Sequence, residues 1–262
     1  MKKNILIAAY NLNYGGIETS LINLLKNINI DKYNVTLALE KKEGVFLNEV
    51  PKEIKIKEYK VNTSSNIFLR KVFNLTKRIK WLLLNYKRYD ASISYATYSK
   101  PCSFLARTSS KNKILFVHSD YVNAYRKDIS KIKEFFNGIR INEYNHIVFV
   151  SNEAKKDLCK IYKDIESRSV TINNLVDYNK IIKLSKEKIN IDKNYNKVFL
   201  FVGRLDESSK RLTLLLRVAN KCKQDKVKST FWIIGSGPDE KKYKDIVNKD
   251  KLDNVIFMGA KK

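Results

Sequence analysis

The sequence predicts a doubly wound α/β fold built twice along one chain. Apolar runs of five or six residues alternate with segments whose apolar residues recur at helical spacing. Repeated β-α units of this kind make parallel sheets covered on both faces. The alternation breaks once, over the polar and Lys-rich residues 174–196, and then restarts. A length of 262 residues suits two modest domains, each able to bury a core.

In chain order, Asn4–Tyr10 reads as a strand and Glu18–Asn27 as a helix, with Leu21, Leu24, Leu25 and Ile28 on one face. Strands follow at Tyr33–Leu39 and Ile54–Lys60, then a long helix over Ile67–Tyr86 and a strand over Asp90–Tyr95. Lys100–Thr108 reads as helix, Lys113–His118 as strand, Ile129–Tyr144 as helix and His146–Val150 as strand. Ser151 is placed to cap a helix over Asn152–Tyr162, and Ser169–Asn173 is the next strand. A short helix is expected inside the connection. The second series has strands Val198–Val202, Thr230–Ile234 and Val255–Met258, with helices Thr213–Cys222 and Glu240–Asn248 between them. Doubly wound sheets usually have five or six strands, so this series reads as incomplete.

The chain carries 52 Lys+Arg against 27 Asp+Glu, a net charge of +25. Heavy use of Lys, Asn, Ile and Tyr, all with AT-rich codons, accounts for part of it. The field still draws the protein to polyanions: nucleic acid, anionic lipid or phosphorylated substrates. No RRM, KH, zinc-finger or helix-turn-helix signature is present, so no specific nucleic acid is expected. The three cysteines lie far apart and form no CxxC, which excludes a disulfide scaffold or a zinc finger. No D-x-D occurs, and no metal is expected. No apolar stretch approaches a membrane span, and the first apolar run is too short for a signal peptide, so a cytoplasmic protein is expected.

In doubly wound folds ligands bind beyond the carboxyl ends of the strands, and four constellations fall there. Gly15 and Gly16 lie between the first strand and helix, where paired glycines admit a ligand to the backbone or simply make a turn. The loop from Gly203 carries Arg204 and Lys210, a bidentate fork and a point charge suited to a diphosphate. Solvated cations are the alternative, but at a helix start they oppose the dipole. Gly235, Gly237 and Pro238 follow the next strand, lining a nucleotide pocket or forming a structural turn. His118 ends the strand before Ser119 and Asp120, as a site residue or a structural histidine. The first loop is not G-x-G-x-x-G, so a dinucleotide enzyme is set aside.

Taken in order, these residues resemble family 4 glycosyltransferases of the GT-B fold, retaining enzymes that use nucleotide sugars. The ordered set is Gly15-Gly16-Ile17-Glu18, His118, Ser151-Asn152-Glu153, Asn173 through Asp177, Gly203-Arg204-Leu205 through Lys210, Gly235 through Pro238, and Val255 through Gly259. It covers nearly the whole chain. The resemblance implies two Rossmann-like domains: an acceptor-side domain at 1–177, a linker at 178–196, and a partial nucleotide-sugar domain at 197–262. It implies that Arg204 and Lys210 neutralise the donor diphosphate, that Gly15 and Gly16 approach it, and that His118 hydrogen-bonds the donor sugar as the catalytic-site residue. Gly203, Gly235, Gly237 and Pro238 would shape the nucleotide pocket. The donor would be a UDP-sugar, and the acceptor a cell-surface glycan such as capsule polysaccharide or a lipid-linked precursor. No cofactor or metal is implied, since the two cations supply the charge.

Two departures stand out. Many relatives place Gly after the clamp lysine, where this chain has Arg211. The family's E-x7-E segment follows the strand at Gly259 and is not reached, so the chain reads as truncated. The alternative function is an inactive fragment that acts as a basic membrane- or polyanion-binding protein. The helix over Ile67–Tyr86 bears on this. Its stripe Phe68, Val72, Leu75, Ile79, Leu82 suits an anionic leaflet, but is expected to cover the sheet, leaving a solvated basic face.

Overall fold

The computed structural model describes residues 1–188 and 197–261. The chain forms two compact units, Met1–Ile182 and Lys183–Lys262. The first contains β1 (Lys3–Ala9), α1 (Gly16–Asn27), β2 (Tyr33–Leu39), β3 (Lys55–Glu58), α2 (Ile67–Asn85), β4 (Ala91–Ser94), α3 (Lys100–Ser109) and β5 (Lys113–Val117). It continues with α4 (Tyr121–Ala124), α5 (Ile129–Gly138), β6 (His146–Phe149), α6 (Asn152–Ile161) and β7 (Ser169–Thr171), and α7 (Tyr178–Ser185) runs across the division. The second has β8 (Val198–Val202), α8 (Glu207–Lys210), α9 (Leu212–Gln224), β9 (Thr230–Ile234), α10 (Glu240–Lys249) and β10 (Val255–Gly259). Part of the expected connection, residues 189–196, lies outside the described residues.

The first sheet has seven strands in the order β3-β2-β1-β4-β5-β6-β7, all parallel. The order reverses between β1 and β4, which opens a crevice beyond their carboxyl ends. Successive residues of the central strands feed opposite cores. Ile7, Ala9, Leu37 and Leu39 join Leu21 and Leu25 of α1, while Leu6, Ala8 and Ala38 join Trp81, Cys102 and Leu105 on the other face. The second sheet is parallel in the order β10-β9-β8, with Leu212, Leu216, Phe231, Ile233 and Tyr243 in its core.

Helix starts follow their caps. Ser151 Oγ accepts from the Ala154 N–H at 3.2 Å, as its place before α6 implies, and Ser99, Asp120 and Asp128 do the same for α3, α4 and α5. Two expectations change. The helix foreseen over Ile129–Tyr144 stops at Gly138, and Arg140 turns left-handed with φ 57° before a 3₁₀ turn over Ile141–Glu143. A continuous helix would point Ile139 and Ile141 to nearly opposite sides, and the break buries both together with Tyr144.

The other change is α2. Its apolar stripe faces outward, because α3 already covers the sheet on that side with Cys102 and Leu105. A different row holds α2 in place: Asn74, Arg78, Trp81 and Asn85. Asn74 and Asn62 exchange two hydrogen bonds, the Arg78 guanidinium lies 5.4 Å from the Phe104 ring centroid, and Trp81 donates to Ser109 Oγ at 3.1 Å. Asn85 Oδ1 accepts from the Lys57 ammonium at 2.7 Å.

The chain also has an unusual set of left-handed residues. Among the described residues, every non-glycine with positive φ is basic: Lys87, Arg126, Lys127, Arg140, Arg211, Lys226 and Lys251. Most follow helix ends, where glycine normally serves. After α9 the Val227 N–H reaches the Cys222 carbonyl, and after α10 the Leu252 N–H reaches the Val247 carbonyl, so both ends close as Schellman turns without glycine.

Candidate functional site

In the first unit, the loop after β1 is fixed before it reaches its glycines. Leu12 is fully buried, and its N–H and carbonyl bond to Glu43 and Phe46. Gly44, which sequence reasoning passed over, makes this approach feasible: its φ is +124°, and a Cβ there would lie 2.0 Å from the Leu12 carbonyl carbon. Gly15 then caps α1 in extended conformation with no side-chain cap bond. A Cβ on Gly15 would fall 2.1 Å from the Glu18 carboxylate, which folds back over the helix start. Burial holds the Glu18 carboxyl above its usual value.

Gly16 is different, because a Cβ there would meet nothing within 4 Å. We expect Gly16→Ala to fold as stably as the parent, or up to about 1 kcal/mol more so from helix propensity. If Gly16 serves ligand approach, the same variant will weaken nucleotide-sugar binding. Urea denaturation and calorimetric titration read the two effects separately.

His118 sits just past the carboxyl end of β5. Its ring lies 4.5 Å from that of Tyr95 and 5.7 Å from that of Phe116, centroid to centroid. Among the described residues neither ring nitrogen has a hydrogen-bond partner. Burial lowers its pKa to about 4, against a weaker opposing pull from the Tyr95 backbone, so the ring is neutral at pH 7. A histidine held below its unfolded value stabilises the fold above about pH 6.5, and that stability drains as pH falls toward 4. The loss is expected to reach about 2–3 kcal/mol. Denaturation followed across this window checks it, since His118→Gln should flatten the slope.

Tyr95 links His118 to α1. Ser20 donates to Asn174 Oδ1 at 2.8 Å, which leaves the Tyr95 hydroxyl as donor to Ser20 at 2.7 Å. Burial pushes the Tyr95 pKa up to about 12, so that hydroxyl stays protonated. Asn23 of α1 also donates to the Leu175 carbonyl at 2.9 Å. The Asn174-Leu175 segment is thereby fastened to the helix that begins at the paired glycines. Beyond β2, the buried Glu40 carboxyl accepts from Ser99 Oγ and Cys102 Sγ, and burial raises its pKa. Pattern reading does not reveal such links, since Ser20 and Asn174 stand 154 residues apart.

In the second unit, the loop after β9, with Gly235 and Gly237, packs against the segment that carries Gly203, Arg204 and Lys210. Arg204 follows β8 and extends into solvent, with a loose 3.9 Å contact to Asp206. Lys210 ends α8, and its Cε would lie 3.8 Å from a Cβ on Gly203. The loop between them contains a four-residue helix, where the sequence suggested only a loop. Lys210 makes no ion pair among the described residues.

The glycines brace this loop. A Cβ on Gly235, whose φ is +139°, would fall 1.9 Å from the Gly203 carbonyl oxygen, and one on Gly237 would fall 2.3 Å from that of Leu205. The Leu205 N–H donates to the Ser236 carbonyl at 3.0 Å. Just after Pro238, Asp239 accepts from the Glu207 N–H at 2.8 Å. Glu207 accepts from Thr213 and from the Tyr243 hydroxyl, and the Thr213 bond holds its carboxyl below the usual range. Gly235 and Gly237 thus have a structural duty that their sequence left open. Arg211 follows Lys210 with φ 49°, in the left-handed region. Among the described residues no three His, Cys, Asp or Glu side chains gather as a metal site, and no helix is long and apolar enough to cross a membrane.

Two α/β units with parallel sheets, each carrying its candidate residues at strand carboxyl ends, define a GT-B-type scaffold. The chain belongs to glycosyltransferase family 4, whose model matches residues 14–180; the model for glycosyl transferases group 1 matches 196–262. A comparison with curated protein sequences found no match. Among solved structures, HepE of Anabaena in complex with UDP and glucose is similar over 99% of this chain and 70% of its own, at 15% identity and a TM-score of 0.66. A TarM variant of S. aureus in complex with fondaparinux, α-GlcNAc-glycerol and UDP is similar over 99% of this chain and 78% of its own, at 13% identity and 0.68. WaaG, a glycosyltransferase involved in lipopolysaccharide biosynthesis, is similar over 98% and 70%, at 12% identity and 0.61.

Proposed function

We propose that the protein transfers a sugar, with retention, from a UDP-sugar to a cell-surface glycan or its lipid-linked precursor. The observation that carries this reading is the second-unit loop. Two cations bracket Gly203, neither is engaged in a close ion pair, and the glycines of the next loop hold their backbone in place. Two cations carried on a braced backbone suit the charge that grows on a departing diphosphate. Family membership and the presence of UDP in HepE and TarM support the donor class.

In this reading Arg204 binds phosphate oxygens through its fork, and Lys210 follows the charge as the sugar–phosphate bond stretches. No metal is required, because these cations supply the neutralisation. His118 stays neutral and offers one ring N–H and one lone pair to sugar hydroxyls, which orients the reacting carbon. Front-face attack would then rest on leaving-group stabilisation and positioning rather than on a strong base. Calorimetric titration of the chain with UDP, GDP and CDP tests the proposal. Binding of UDP with preference over the others supports it; the absence of binding by all three rejects it.

A further inference from the structure

We propose that α2 lies in the plane of an anionic phospholipid leaflet, with its outward apolar row at the acyl boundary and its flanking cations at the phosphates. This goes beyond the donor reading and does not depend on it.

The first observation is orientation. Phe68, Leu69, Val72, Leu75, Ile79 and Leu83 are all exposed, and Phe68 and Leu83 each keep nearly three-quarters of their surface in solvent. Their spacing puts them on one side of the helix, opposite the row of Asn74, Arg78, Trp81 and Asn85 that fixes α2 to the body of the unit. A monomer that leaves so long an apolar strip in water marks an interaction surface.

The second observation is charge. Between Glu58 and Asp90 the chain has eight basic residues and no acidic one. At 100° per residue, the exposed Lys71 falls on one edge of the apolar row and the exposed Lys80 on the other. Cations on both edges of an apolar strip are the pattern of a helix that rests in an anionic interface, where long basic side chains reach the headgroups. Pairing with a second copy would stack two such helices, each without a single carboxylate, against mutual repulsion.

The third observation is a cavity of about 440 Å³ beside the helix, lined by Lys57, Lys60, Lys77 and Lys80 over Trp81 and Leu84. Its one acid, Glu58, accepts from the Lys42 N–H at 3.1 Å. An apolar floor under a ring of ammonium groups matches a phosphate headgroup with its first acyl carbons.

The test is co-sedimentation of the whole chain with phosphatidylcholine vesicles, alone or with about 30% phosphatidylglycerol, at roughly 0.1 M salt. The chain is expected to pellet with the anionic vesicles and not with the neutral ones. Phe68→Ser with Leu83→Ser, and separately Lys71→Glu with Lys80→Glu, should each lower the partition coefficient at least about tenfold. All four side chains are exposed, and unchanged circular dichroism would confirm folding. In a Leu83→Trp variant, emission should shift to the blue on anionic vesicles and be quenched by brominated acyl chains. Equal binding to both vesicle types, unaltered binding by either double variant, or an unshifted emission would overturn the proposal. A lipid-free dimer that Phe68→Ser with Leu83→Ser dissolves would overturn it too, as would capture of an acidic protein without vesicle binding. UDP titration reads the donor site separately, so either result can fail alone.

Discussion

Lys210→Ala is expected to weaken UDP binding by roughly ten- to a hundredfold and to lower turnover by about 10²–10³. The reasoning starts from surroundings. Lys210 has no ion pair among the described residues, so its removal frees no buried carboxylate and should leave the fold intact. What is lost is a charge-assisted bond to phosphate, and the loss grows as the leaving group gains charge. Arg204→Ala should act similarly, and Arg204→Lys should recover only part of the loss, because an ammonium lacks the fork. Since both groups grip one diphosphate, the double variant should cost less than the two single effects combined. Titration with UDP, beside single-turnover rates, measures both. Lys221→Ala, at a lysine paired with Asp225 at 2.9 Å near the end of α9, is the charge-matched control. Wild-type affinity in both Arg204→Ala and Lys210→Ala would remove the diphosphate assignment.

Gly235→Ala should have the largest effect on stability. The new methyl would sit 1.9 Å from the Gly203 carbonyl oxygen, a backbone atom held by the β8–β9 pairing, and the φ of +139° is one that alanine avoids. Strain and forced displacement together are expected to cost about 3–5 kcal/mol. Because the second unit has its own core, its unfolding transition should shift to lower denaturant and leave that of the first unit in place. UDP binding should fall with it, since the displaced backbone carries Arg204. This separates the two roles: Lys210→Ala loses ligand and keeps stability, whereas Gly235→Ala loses both.

Much of this arrangement was legible in the residues alone. The strand runs, the Ser151 cap and the loops at strand carboxyl ends follow from periodicity and local chemistry, which act over a few residues. What escaped prediction depends on partners far along the chain. The stripe of α2 announces an amphipathic helix, but periodicity does not say which side meets the protein; α3, already seated on that face, decides it. The break after Gly138 comes from the need to bury Ile139, Ile141 and Tyr144 at once. Gly44 looks like any loop glycine until the Leu12 backbone crosses it. The Tyr95–Ser20–Asn174 connection joins three segments that only the folded sheet brings together.

The seven left-handed lysines and arginines have a consequence for how this protein meets heat. A side chain in that conformation costs roughly 1–2 kcal/mol, and a cation near helix-end carbonyls recovers about 0.3–1 kcal/mol of it. With only eight glycines in 262 residues, the chain accepts a small penalty wherever a richer supply would have avoided one. Its melting point is therefore set partly by vocabulary: a thermal margin lies latent at the ends of its helices, while the same substitutions keep the surface cationic.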